Sequence, residues 1–522
     1  MSIFPPGRSA HKMCFMFPNA LRLGSLAGLL AACPLAGTCA VRLPGILSSH
    51  MVVERDRPIH IWGWADPGEK VSVTFRQTTR ETAGDALGNW SLFLPPETAG
   101  GPYELAVNGT NGIVLDDVLV GDVWFASGQS NMQMPLQGFP GAPLKDGAEE
   151  IAHADQPQIR LLRIPTKAAD FPLRDADASW TVCSPATATN FSALAYFFGR
   201  DLAAREHVPI GLIDSTWGGT VAEAWVSLQT ISADAGLMPV FATRAEMMQS
   251  QADTAAILAQ ERREDQAARQ AGHKPPSHVW RPDPASWAPA ALFNGMVAPV
   301  TPYAIKGVIW YQGESNSRLA FAPMYGRIFP ALIADWRAQW HEGDFPFLFV
   351  QIANFKSNAS EAWAAIREAQ RRTLSVANTA MAVTIDIGDP DNVHPADKQT
   401  VGARLALAAR ALAYGENVEY SGPLFRQAVP DGDALRVWFD HAANGLASKG
   451  ATLEGFEIAG ADGRFVSANA RIDGKTVLVS NPSVTAPRQV RYGWSNAPIV
   501  NLYNSEGLPA SPFTSEDNIP VP

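Results

Sequence analysis

Cysteine is scarce in this chain. Four occur in 522 residues, and Cys14, Cys33 and Cys39 all fall within the first forty. Positive charge is also short, with 41 Lys and Arg against 51 Asp and Glu, a formal net charge of −10. Nucleic-acid binding needs a basic footprint, so this balance argues against that partner. No segment beyond the first forty residues is long and apolar enough to be a transmembrane helix. Internal repeats and long low-complexity tracts are missing too. What is present is core material: 46% of residues are hydrophobic and only 18% charged, which excludes a disordered chain. The 42 Gly and 40 Pro indicate loop-rich globular structure. Fifteen Trp suit either sugar binding or the cores of β-sandwiches.

Residues 1–40 read as a targeting segment. Arg8, Lys12 and Arg22 precede an apolar run starting at Leu23, and small residues end it at Ala40, the pattern of an export signal. A competing reading takes Leu30-Ala31-Ala32-Cys33 as a lipoprotein box, with a lipid anchor on Cys33. Either route implies an exported protein, periplasmic or extracellular, or held at the outer membrane. Cleavage after Ala40 leaves Cys183 alone, so no internal disulfide is expected. Cys183 has no neighbouring His and reads as a buried or incidental thiol rather than a nucleophile.

Residues 41–116 alternate apolar and polar, as in Val71, Val73 and Phe75, with turns every ten or so residues, the pattern of a small β domain. The character then changes. Short apolar runs at 118–125, 210–213, 307–310, 347–350 and 381–385 alternate with helical stretches. Such runs suit strands buried on both faces of a parallel sheet, which gives an α/β layered domain over 117–415. Val401, Leu405, Ala408 and Leu412 fall on one face of its last helix, and Gly415 stops it. An excursion at 227–290 holds a charged helix from Asp253 to Ala271 and a Pro- and Trp-rich loop. It reads as a solvated surface feature or as a lid whose Trp280 and Trp287 stack on sugar. Alternation returns over 416–522 as a C-terminal β region.

Four segments follow predicted strands, where ligands bind in open α/β sheets. Gly128-Gln129-Ser130-Asn131 presents a serine on a tight turn, a nucleophile if a base reaches it and otherwise a turn former or helix cap. Trp217-Gly218-Gly219-Thr220 exposes backbone N–H groups that can stabilise an oxyanion or merely form a strand-to-helix turn. Gln312-Gly313-Glu314-Ser315-Asn316 offers two side-chain amides to the same oxyanion, or a polar helix cap. In Asp391-Asn392-Val393-His394, the histidine can take the serine proton while the carboxylate orients the ring. No second ligand cluster of the usual spacing accompanies His394, so no metal and no cofactor are expected.

In this order the four segments resemble the SGNH (GDSL-like) hydrolases, and more narrowly the sialate O-acetylesterase-like carbohydrate esterases. Ile61-Trp62-Gly63-Trp64, Phe345-Pro346-Phe347, Arg367-Glu368-Ala369-Gln370 and Tyr492-Gly493-Trp494 extend the likeness over nearly the whole mature chain. The resemblance implies an SGNH-type three-layer α/β/α domain with a mostly parallel sheet, flanked by N- and C-terminal β-sandwich-like regions. It implies Ser130 as nucleophile, His394 as base and Asp391 as its partner. The oxyanion hole would use the N–H groups of Ser130 and Gly219, with Gln312 or Asn316 as third donor. Gln129, Asn131, Trp217, Glu314 and Arg318 are candidate substrate contacts, and Trp225, Trp310 and Trp363 also fall near the site. The expected partner is an O-acetylated mono-, oligo- or polysaccharide: acetylated sialic acid, or a plant polymer such as xylan or xyloglucan. A sialate carboxylate would want an arginine, Arg318 or Arg367. The rival reading is a non-catalytic carbohydrate-binding protein on a degenerate esterase fold, which the intact Ser130, Asp391 and His394 argue against.

Overall fold

The computed structural model describes residues 40–521 except 251, 252, 277, 279, 280, 282 and 359. The leader, Cys33 and Trp280 lie outside the described residues. At the centre is a mixed sheet. From one edge its strands run Thr379–Ala382, Phe347–Val350, Gly307–Tyr311, Gly112–Gly128, Ile210–Thr216, Gln156–Arg163 and Thr181–Cys183. Neighbours are parallel except for the last pair, which is antiparallel. Strands 210–216 and 307–311 are buried at every residue, as continuous apolar runs require between two helical layers.

Two adjacent residues show the layering. Side chains alternate along a strand, so Trp124 and Phe125 point to opposite faces. Trp124 meets Phe198 of helix Ala193–Glu206 edge-on at 4.9 Å, while Phe125 meets Trp336 of helix Ala322–Trp340 at 5.4 Å. The sheet is therefore covered on both sides, giving three α/β/α layers. Helix Lys398–Leu412 packs beside Ala193–Glu206: a Cβ on Gly402 would lie 2.7 Å from Phe197 Cβ. It buries Val401, Leu405 and Ala408 as the sequence periodicity requires.

The expected boundary at 116/117 falls inside one continuous strand. The first half of Gly112–Gly128 pairs antiparallel with Gly100–Asn108, and its second half enters the central sheet. Val52–Glu54 adds alongside in parallel. The N-terminal β region therefore shares its core with the α/β layers. The C-terminal region keeps a core of its own. Two four-stranded sheets, one containing Ala434–Asp440 and the other Phe456–Ala459, face each other across Val437, Val479, Ile458, Tyr492 and Phe513, a β-sandwich. The excursion forms helices Leu228–Ala233, Pro239–Ser250 and Thr254–Gln270, and returns through a short turn at Pro284–Trp287.

Candidate active site

Three strands end in register. Gly128 pairs with Thr216 on one side and with Tyr311 on the other, so the loops carrying Ser130, Gly219 and Gln312 leave the sheet at one level. Gly128 is required there. Its φ is +135°, and a Cβ would lie 2.1 Å from Tyr311 O. The peptide N–H of Gln129 donates to Tyr311 O at 2.9 Å, and that of Trp217 donates to Gly128 O at 3.1 Å. The turn is thus tied to both flanking strands before Ser130 opens the short helix Ser130–Gln133.

His394 Nε2 lies 2.8 Å from Ser130 Oγ. Phe139 stands edge-on to the imidazole with ring centroids 5.2 Å apart, which limits its rotation. Burial, reinforced by the Lys398 ammonium, pushes the imidazole pKa down to about 4. The ring is then neutral at pH 7, and its Nε2 lone pair can accept the serine proton. Asp391 does not sit on the imidazole here. Its carboxylate accepts from Lys356 Nζ at 2.9 Å, with both side chains largely exposed. The tight turn at Asp389–Asn392 turns it outward, and the peptide N–H of His394 is held instead by Asn392 Oδ1 at 3.0 Å.

The second loop lies against the serine. Gly218 N–H donates to Gln133 Oε1 at 2.8 Å, and a Cβ on Gly218 would lie 3.2 Å from Ser130 Cβ. Gly219 adopts a φ of +74°. Among the described residues, the N–H groups of Ser130 and Gly219 donate to no protein acceptor. Behind the loop, Trp287 Nε1 donates to Gly219 O at 2.6 Å. Trp287 is buried against Phe321, so it braces the glycine turn rather than stacking on sugar. Trp225, Trp310 and Trp363 are buried too, whereas Trp217 keeps exposed surface at the loop.

The third loop is scaffold. Gln312 is fully buried, and its Nε2 faces Gln129 Oε1, Thr220 O and Asn316 Oδ1 at 3.2, 3.1 and 2.6 Å. Asn316 Nδ2 donates to Glu223 Oε2 at 2.9 Å. Both amides offered as the third oxyanion donor are therefore bonded to protein acceptors. Gln129, Asn131 and Glu314, candidate substrate contacts by sequence, are likewise buried. Each is needed to satisfy polar groups where the three loops meet. Arg367 is buried as well, its guanidinium divided among the carbonyls of Ile352, Ala353, Ser495 and Asn496. Arg318 remains half-buried, stacked over Trp287 at 5.1 Å. Lys398 was not singled out from the sequence. It is 1% exposed and donates to Asn131 Oδ1 at 2.6 Å. Its signal was legible, since a lysine as first residue of a helix sets a cation against the positive end of the helix dipole.

These loops at the end of a mostly parallel sheet belong to a carboxylic ester hydrolase. The family model for "Carbohydrate esterase, sialic acid-specific acetylesterase" matches residues 280–411. Sialate O-acetylesterase of Mus musculus is 31% identical over 91% of this chain and 94% of its own length, and that of Homo sapiens 33% over 78% of each. The crystal structure of a carbohydrate acetylesterase from Xanthomonas citri is similar at a TM-score of 0.79 and 38% identity, covering 92% of this chain and 100% of that one. The chain belongs to the sialate O-acetylesterase family of carbohydrate esterases.

Proposed function

We propose that this esterase removes acetyl groups from O-acetylated sugars by serine-based acyl transfer, with Ser130 as nucleophile and His394 as base. The observation that carries the reading is the 2.8 Å approach of His394 Nε2 to Ser130 Oγ. Ser130 Oγ attacks the acetyl carbonyl as its proton passes to Nε2, and the same proton then goes to the departing sugar oxygen. Water, deprotonated by His394, attacks the acetyl-serine and releases acetate. The N–H groups of Ser130 and Gly219 meet the developing oxyanion; a single donor of this kind contributes about 10²–10³ in turnover. Asp391 joins His394 in this reading only after leaving Lys356.

The half-buried Trp217 offers a ring face to a sugar beside the nucleophile turn. Arg318 stacks half-buried over Trp287 and shows no ion pair among the described residues, so a sialate carboxylate would suit it, while a neutral plant polysaccharide would leave it unused. Acetate release across a panel of acetylated sialic acids, xylan and xyloglucan tests the substrate, with Ser130→Ala in parallel. That variant is expected to lose at least about 10³-fold in turnover. Full activity in it would sink the mechanism, and binding without acetate release by the native chain would restore the non-catalytic alternative. Export is part of the same reading. N-terminal sequencing of the mature protein separates cleavage after Ala40 from lipidation at Cys33.

A further inference from the structure

Asn131, the residue after the nucleophile, is almost wholly buried and bonded on every side. Its Nδ2 donates to Glu314 Oε1 at 2.6 Å and to Val393 O, just before His394, at 2.9 Å. Its Oδ1 accepts from Lys398 Nζ at 2.6 Å. One amide thus joins the serine turn, the histidine loop and the third loop. Its orientation is set by charge: the ammonium can only face the oxygen and the carboxylate only the nitrogen. Burying a cation at a helix N-terminus is costly in desolvation and in dipole energy. Apolar residues in place of both Lys398 and Glu314 would fill the site at lower cost, so stability is a weak reason for this buried pair.

We propose that Lys398 is a positioning residue that, acting through Asn131, holds Ser130 and His394 in register. This rests on the Ser130–His394 reading above. The groups facing Lys398 are Glu314 from the third loop, the Tyr311 ring at 5.6 Å, Asp397 at the helix cap and His394; Lys145 reaches Asp397 from outside at 3.6 Å. Ser130, Phe139 and Asn392 border the histidine, and none of them carries charge. Burial pushes Lys398 itself down to about 7, so it is charged wherever His394 titrates. A positive neighbour disfavours the imidazolium, so removing it raises the histidine pKa.

The test is the pH dependence of kcat/KM for Lys398→Met on a chromogenic acetate ester. The acidic limb is expected to move up by about one pH unit, with kcat down about tenfold or more and KM little changed. Lys398→Arg, which keeps the charge, is expected to return the limb toward its native position. Lys398→Met with Glu314→Gln leaves no lone buried carboxylate, and its limb is expected to move upward as well. A native limb and native kcat in folded variants would overturn the proposal. Loss of the fold in both Met variants would overturn it too, in favour of a purely structural pair. Ser130→Ala separates the two readings: an inactive serine variant beside a native-like Lys398→Met variant fails this inference alone.

Discussion

His394 Nε2 and Ser130 Oγ are 2.8 Å apart although 264 residues separate them in the chain. Among the described residues no carboxylate hydrogen-bonds the imidazole, and burial and Lys398 hold it near a pKa of about 4. A base works in its neutral form, so kcat/KM is expected to stay level from neutrality down to pH 5 and to fall as pH drops through about 4. An ordinary histidine would lose activity near 6.5. The pH profile on a small acetate ester checks this.

Asp391 pairs with Lys356 rather than with His394. In that arrangement Asp391→Asn removes an exposed ion pair, and turnover is expected to fall by less than about tenfold. A loss near 10⁴-fold, as when a triad carboxylate is replaced, would show that the loop delivers Asp391 to the histidine during catalysis. Single-turnover kinetics of the variant distinguish the two.

Trp287 acts on the glycine turn through one hydrogen bond to Gly219 O. Trp287→Phe keeps most of the buried ring and removes only the donor, leaving a carbonyl unsatisfied at a cost of roughly 1–3 kcal/mol. Because Gly219 N–H is the proposed oxyanion donor, kcat is expected to drop about tenfold with KM within about twofold. A change confined to KM would return Trp287 to a sugar-binding role.

Gly128→Ala tests the junction itself. An alanine there must hold a positive φ and set its Cβ into the Tyr311 carbonyl. Backbone strain of this kind costs on the order of 1–3 kcal/mol before the clash is counted. A lower midpoint of thermal unfolding and lost activity are expected, read by circular dichroism and acetate release.

Much of the molecule was legible in the chain. Apolar runs at 210–213 and 307–310 announced strands buried on both faces, and the spacing of Val401, Leu405 and Ala408 announced the last helix. That the serine segment leaves a strand end was legible, because an apolar run closing on a glycine turn marks one. The N-terminal boundary was not, since nothing in composition shows that one 17-residue strand serves two sheet regions. Asp391, Gln312, Asn316 and Trp287 were also misjudged for contact. A polar side chain near a site reads the same in sequence whether it faces the substrate or another loop.

The sequence by itself determined the strand and helix order, the scarcity of cysteine and the residue types able to do ester chemistry, because these depend on local pattern and composition. Only the tertiary structure decided which side chains meet. Hydrogen-bond partners and desolvation depend on what folds over a residue, and it is the folded chain that turns Asp391 to Lys356 and buries Lys398 against Asn131.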